Sequence, residues 1–249
     1  MTPRVDREFG VPFPGVIKPE SQWTQTALKA IPDGPIDWPS LFGRVAPIVL
    51  DLGCGNGRST MHAAMMKPAS DHLGIDPLPV VIRYARKRGN QRGFTNVKFA
   101  VIGGHELLAR HIAPQSIHEI HVYHPQPYYD PTQVHRRLVT PAFLALVHQS
   151  LVPGGQFVVQ TDHPNYWKYI RDAASHFFDF HERIGRWPDA PRGRTRREII
   201  AMKKGLPIFR GHGTAKPAIT AEEAIRLAES LPAPLFEADR RLIELDRMG

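Results

Sequence analysis

From Pro47 onward, apolar runs of strand length alternate with amphipathic stretches of helix length: IVLDLG, a helical segment from Ser59, HLGID, LPVVIRYARKRG, NVKFAVI, HELLARH, IHEIHVYH, TPAFLALVHQSL and GGQFVVQTD. A chain with this alternation buries both kinds of segment by laying helices over the two faces of a parallel sheet, so the pattern predicts an α/β fold. After Asp162, PNYWKYIRDAASHFF predicts a further helix, and DFHERI and REIIAM read as strands. Gly89 and the pair Gly154-Gly155 fall where helices should stop. Residues 1–40 carry Pro3, Pro12, Pro14, Pro19, Pro32, Pro35 and Pro39 and read as an irregular arm. Residues 41–213 form the main domain. Residues 214–249 form a helical extension, opened by Thr220 with Glu223 at capping-box spacing.

With 249 residues the chain can build one large domain with appendages, and 12 Phe, 6 Tyr and 4 Trp are too many for general disorder. No apolar run reaches the roughly 18 to 20 residues of a membrane span, and the start MTPRVDREFG lacks a signal-peptide core. The expectation is a soluble, cytoplasmic protein. One cysteine, Cys54, excludes an internal disulfide framework and a multi-thiolate zinc site. The 32 Lys and Arg against 24 Asp and Glu give a net charge of +8, which suits a polyanion partner. Between Arg183 and Lys204 lie eight cations, Arg183, Arg186, Arg192, Arg194, Arg196, Arg197, Lys203 and Lys204, against Asp189 and Glu198. That stretch is the best phosphate-binding candidate. A second run from Arg83 to Arg92 contains no acid, although the dipole at a helix end accounts for it equally well.

The sharpest local feature is DLGCGNG, Asp51 to Gly57, set between a strand and a helix. Its glycines reach backbone conformations closed to other residues and let a ligand approach the main chain beside the helix's unpaired N–H groups. The dinucleotide pattern G-x-G-x-x-G fails, because the position three after Gly55 is Arg58. The spacing G-x-G-x-G, with an acid two before the first glycine, resembles instead the first motif of S-adenosylmethionine-dependent methyltransferases. A turn that serves only geometry is the plain alternative. Asp76 closes the next strand, where a carboxylate can accept both ribose hydroxyls of an adenosyl group or merely cap a turn. Cys54 reads as a small spacer. His118, His121 and His124 do not predict a metal site, since strand alternation turns the middle one away from the others; they read as ordinary strand residues.

A third feature, HPQPYYDPTQVHRRLV from His124 to Val139, is followed by LVPGG, by Thr161-Asp162 and by Thr195 to Glu198. In this order, from about Pro47 to Gly211, the chain resembles the bacterial tRNA (guanine-N7)-methyltransferase family. The resemblance implies a Rossmann-like class I methyltransferase with a mostly parallel seven-stranded sheet and helices on both faces. It also implies S-adenosyl-L-methionine as cofactor, tRNA as substrate, and methyl transfer to a guanine N7 in the variable loop. Carried over by position, it assigns Asp51, Gly53, Gly55, Gly57, Asp76, Gly103 and Gln126 to the cofactor. It assigns Asp130, Arg136, Arg137, Asp162, Thr195 and Glu198 to the substrate, and Gln126 and Asp162 to catalysis. Tyr128 and Tyr129 either stack on an extruded base or pack in the core. Three positions depart from the family pattern: Gln126 and Gly103 stand where it has Asp, and Asp130 where it has Lys. An adenine contact is therefore missing or supplied by His105 or Glu106. The departures leave two alternatives, the same fold methylating another RNA position or a small molecule, and a non-catalytic tRNA-binding relative.

Overall fold

The structure, a computed structural model, describes residues 6–237. Pro3 and the end of the C-terminal extension lie outside them. The seven long strands form one sheet, in the spatial order 97–101, 71–76, 48–52, 117–123, 151–161, 209–215 and 178–182, and the described residues divide into two compact units, 6–113 with 187–196, and 114–186 with 197–237.

The first unit contains the hairpin β1 (Arg7–Glu8) and β2 (Val11–Pro12), then α1 (Trp38–Phe42), β3 (Ile48–Leu52), α2 (Arg58–Met66), β4 (Asp71–Asp76), α3 (Pro79–Gln91), β5 (Val97–Val101) and α4 (Gly104–Arg110). Strand β4 pairs in parallel with β3 and with β5. Every residue of β3 and β4 is buried, which is why their sequences run apolar with little alternation. Helices α2 and α3 bury Met61, Ala64, Ile82 and Ala85 against Phe99 and Val97. Gly89 does not end α3 as expected. It lies inside the helix, where an added Cβ would sit 3.0 Å from Thr26 Oγ1, so it lets the arm approach.

The arm is irregular over much of its length, yet it is built into this unit. Leu28 N–H donates to Phe99 O at 2.9 Å, and Phe99 N–H donates to Thr26 O at 2.7 Å, so the arm occupies the free edge of β5. Phe13 is buried in the same cluster as Phe99.

The second unit contains β6 (Ile117–Tyr123), α5 (Pro141–Ser150), β7 (Leu151–Thr161), α6 (Pro164–Phe177), β8 (Phe178–Glu182), α7 (Arg196–Lys203), β9 (Phe209–Ala215) and α8 (Ala221–Ser230). Strands β6 and β7 are parallel, whereas β9 runs antiparallel to β7 and β8. Two expectations are corrected here, and one strand is added. Segment REIIAM is helix α7, because a short apolar run without alternation suits either element. The pair Gly154-Gly155 lies inside β7 rather than at a helix stop; α5 ends at Ser150, where Leu151 turns extended. Strand β9 escaped notice because its glycines interrupt the pattern: a Cβ on Gly211 or Gly213 would meet Phe180 or Phe178 of β8 at 2.5 or 2.7 Å. It runs through the 213/214 boundary. In α8 the expected capping box is present, with Glu223 N–H donating to Thr220 Oγ1 (3.2 Å) and Thr220 N–H to Glu223 Oε2 (2.7 Å), and the helix packs on α5.

Candidate functional site

At the carboxyl end of β3 the chain reverses through Asp51 to Gly57, and the N–H groups of Gly53 and Cys54 both donate to Ile75 O, at 2.9 and 2.8 Å. Gly53, Gly55 and Gly57 have φ of +82°, +53° and +79°. An added Cβ on Gly53 or Gly55 would meet nothing within 4 Å, so the main chain there faces open space. On Gly57 it would meet Phe99, Ala85 and Met61 at 2.8 to 2.9 Å, so this glycine seats the loop on the core. Two glycines leave room for a ligand and the third fixes the platform.

Asp51 is buried and accepts from Ser59 Oγ (2.5 Å) and Thr60 Oγ1 (2.7 Å), which ties the end of β3 to the start of α2. Asp76 accepts from Gly55 N–H (3.2 Å) and Leu78 N–H (2.9 Å). Burial pushes its carboxyl up, those two N–H groups pull it back, and the charge of Asp51 adds to the rise. Each Asp76 oxygen keeps a second lone pair for a hydroxyl. Gly103 precedes α4 and also faces open space, with His105 and Glu106 exposed after it. Burial first, then Asp51 and Asp76, push the Cys54 thiol up, so it stays protonated and serves as a spacer.

Sequence reasoning missed a clasp over this loop. The buried carboxylate of Glu8 accepts from Asn56 Nδ2 (2.5 Å), Arg58 Nη1 (3.3 Å) and Arg88 Nη1 (3.3 Å). Beside it the guanidinium groups of Arg58, Arg88 and Arg92 lie 5.5, 4.4 and 4.8 Å from the Phe13 ring. Arg92 also pairs with Asp6 at 2.8 Å. No local pattern announces these contacts, whose hydrogen-bonded partners lie 48 to 86 residues apart.

In the second unit, His124 follows β6 with φ +52°, outside the strand. Its Nδ1 lies 3.2 Å from Asp162 Oδ1 and its Nε2 2.8 Å from Gln160 Nε2. It is not an ordinary strand residue. Asp162, at the carboxyl end of β7, is buried and accepts from Arg197 Nε–H at 2.8 Å. Burial works to raise its carboxyl, but the hydrogen bond and charge of His124 and those of Arg197 outweigh it and hold it well below the usual carboxylate range. The carboxylate is therefore ionised throughout the neutral range. His124 and Arg197 were missed as its partners.

Gln126 and Asp130 are exposed on the loop after His124. Asp130 caps the 3-10 turn Pro131–Arg136, accepting from Thr132 N–H (2.9 Å) and Thr132 Oγ1 (2.7 Å), and these bonds hold its carboxyl low. Arg136 is exposed, with its guanidinium 5.6 Å from the Tyr128 ring.

Two expected substrate residues are structural instead. Arg137 is 2% exposed and donates to the carbonyls of Pro127 (2.5 Å), Tyr128 (3.1 Å), Pro234 and Phe236 (3.1 Å), so it has no face for a phosphate. Glu198 is 0% exposed and pairs with Arg210 at 2.5 Å, so its carboxylate faces the protein interior. Glu198→Gln, which keeps the shape and removes the charge, is expected to cost about 1–3 kcal/mol in urea unfolding. Affinity for S-adenosylhomocysteine should not change.

Thr195 is half-buried in the stretch 187–196, which belongs to the first unit. There Arg194 pairs with Asp189 (2.7 Å), Asp189 lies 3.3 Å from His62 Nε2, and Arg194 stacks 4.0 Å over Trp187. Of the eight cations expected to meet phosphate, Arg194 and Arg197 are thus engaged with carboxylates. Among the described residues, no group of three or more His, Cys, Asp or Glu is placed to hold a metal ion.

A glycine loop after the first long parallel strand, a carboxylate closing the next, and an antiparallel strand inserted in a seven-stranded sheet define a class I methyltransferase fold. Solved structures agree. A 16S rRNA methyltransferase, KamB, superposes with a TM-score of 0.54 at 14% identity, covering 78% of this chain and 99% of that one. The 16S rRNA (adenine(1408)-N(1))-methyltransferase of Catenulisporales acidiphilia, with cosubstrate SAM, gives 0.51 at 14%, covering 74% and 92%.

Residues 45–210 match the model of the family described as "Putative methyltransferase". The tRNA (guanine-N(7)-)-methyltransferase of Halorhodospira halophila is 30% identical over 75% of this chain and 82% of its own length, and that of Alkalilimnicola ehrlichii is 31% identical over 76% and 82%. The one from Arthrobacter sp. is 33% identical over 64% of this chain, which spans about half its length, 51%. The chain belongs to the tRNA (guanine-N7)-methyltransferase family, and it is an S-adenosyl-L-methionine-dependent methyltransferase. No helix among the described residues is long and apolar enough to cross a membrane.

Proposed function

We propose that this chain methylates N7 of a guanine in the variable loop of tRNA. The observation that carries the reading is Asp162, a buried carboxylate held ionised by His124 and Arg197 at a strand's carboxyl end. The names of the relatives support the substrate.

The open main chain at Gly53 and Gly55 fits close approach of the cofactor, and Asp76 would accept its ribose hydroxyls. Gly103 leaves space where the adenine ring would lie. When bound, S-adenosylmethionine supplies a methyl group on a positively charged sulfur. Guanine N7 offers an in-plane lone pair and carries no proton, so the protein's task is alignment and exclusion of water, with no base required. Asp162 has one bond on each oxygen from His124 and Arg197, which fixes its orientation and leaves lone pairs for guanine N1–H and the exocyclic amine. Its charge would offset the positive charge that develops on the purine. Gln126, exposed on its loop, would hydrogen-bond the base without adding charge, and Asp130 would order that loop. Arg136 and Thr195 are the remaining candidates for tRNA contact.

The test uses labelled S-adenosylmethionine and tRNA transcripts carrying guanine or adenine at the variable-loop site. Transfer to the guanine transcript alone is expected. Transfer regardless of that base, or binding without transfer, would overturn the reading in favour of another acceptor or a non-catalytic relative.

A further inference from the structure

The basic run on α3 divides by direction. Ile82, Ala85 and Gly89 face the core, and Arg88 and Arg92 turn toward Glu8 and Asp6. Arg83 and Lys87 are exposed and Arg86 is half-buried, and none of the three has an ion pair among the described residues. Together with Trp23, Gln25 and Gln91 they line a groove of about 730 Å³ on the first unit, and among the described residues no acidic side chain lines it. Trp23 forms one wall: its indole N–H is fixed on Lys18 O at 2.9 Å, while the ring remains 40% exposed.

Like charges at i and i+4 repel, so Arg83 and Lys87 gain nothing from each other within the fold. The helix dipole does not account for them either, because both lie before the last turn of α3, where the effect has fallen off. Exposed cations tracking along a groove, beside an exposed aromatic face, match the pattern that follows a nucleic-acid backbone and stacks a base.

We infer that this groove is a second RNA contact, in which Arg83, Arg86 and Lys87 meet phosphates of the substrate tRNA and Trp23 stacks on an unpaired base, apart from the residues of methyl transfer. The inference rests on the tRNA reading above. Its class of ligand is a polynucleotide; a free nucleotide shares the chemistry, and the test separates the two.

Two variants of the full chain, Arg83→Ala with Lys87→Ala, and Trp23→Ala, are compared with the parent in tRNA binding across a salt series, with guanosine monophosphate as a competitor. The paired variant should bind tRNA about tenfold more weakly at low salt, and its log-log salt slope should be shallower by about 1.4 to 1.8, two phosphates at 0.7 to 0.9 each. Trp23→Ala should weaken binding severalfold with the slope unchanged. Calorimetry with S-adenosylhomocysteine should return the parent affinity for both, which also shows that each is folded. Parent-like tRNA affinity and slope in the paired variant would overturn the inference, as would displacement of tRNA from the parent by micromolar guanosine monophosphate that the variants abolish. A parent that transfers no methyl to tRNA would sink the tRNA reading itself; a parent that transfers normally beside unaffected variants would sink the groove alone.

Discussion

Asp76→Ala is expected to weaken S-adenosylhomocysteine binding at least about a hundredfold, with the fold intact. Two hydrogen bonds that the carboxylate would accept from ribose hydroxyls, at about 1.5–3 kcal/mol each, exceed the roughly 2.7 kcal/mol that a hundredfold represents. A second loss adds to the first, since Gly55 N–H no longer has the Asp76 oxygen that positions the loop. Asp76→Asn keeps one acceptor oxygen and should fall between the two. Calorimetry decides the matter, and an Asp76→Ala affinity within threefold of the parent would remove this residue from the cofactor site.

Asp162→Asn should lower kcat on tRNA by about a hundred- to a thousandfold, the scale seen when a preorganised electrostatic group is removed, and leave S-adenosylhomocysteine affinity unchanged. An amide still accepts from Arg197, so the geometry is largely kept and the missing quantity is charge. A pH series supplies an independent reading. Because the native carboxyl is depressed, its contribution to stability is complete above the unfolded value near 3.9 and disappears as pH falls toward the native value. The parent should therefore lose more stability than Asp162→Asn between about pH 5 and pH 2 in urea titrations. Parallel losses in the two proteins would mean that His124 and Arg197 do not hold the charge. A kcat within tenfold of the parent would mean that the charge does not serve the transfer.

The glycine turn and its platform were readable because their determinants are local. Strand, glycine turn and helix follow one another between Ile48 and Met66, and the failed match at Arg58 already set the loop apart from dinucleotide binders. The surroundings of Asp162 were readable only as a set of motif positions. Asp162 meets His124 and Arg197 across 38 and 35 residues, and its neighbours on the chain do not predict these partners. For the same reason Arg137 and Glu198 looked available, although one is enclosed by main-chain carbonyls and the other by Arg210. Propensity failed in two places. Strand β9 has small residues where β8 has rings, and α7 carries too short an apolar run to declare its period. The arm looked irregular because prolines govern its backbone, yet Phe13 and Thr26 are buried side chains whose partners lie far along the chain.

The Glu8 clasp also sets an order of events during synthesis. Its carboxylate leaves the ribosome early and stays unmatched until Asn56 and Arg58 appear, and it is complete only when Arg88 follows. The glycine turn can thus be translated well before it is locked. A fragment started at Pro47 would carry every glycine of the turn and lack the anchor that holds Asn56 and Arg58 in place.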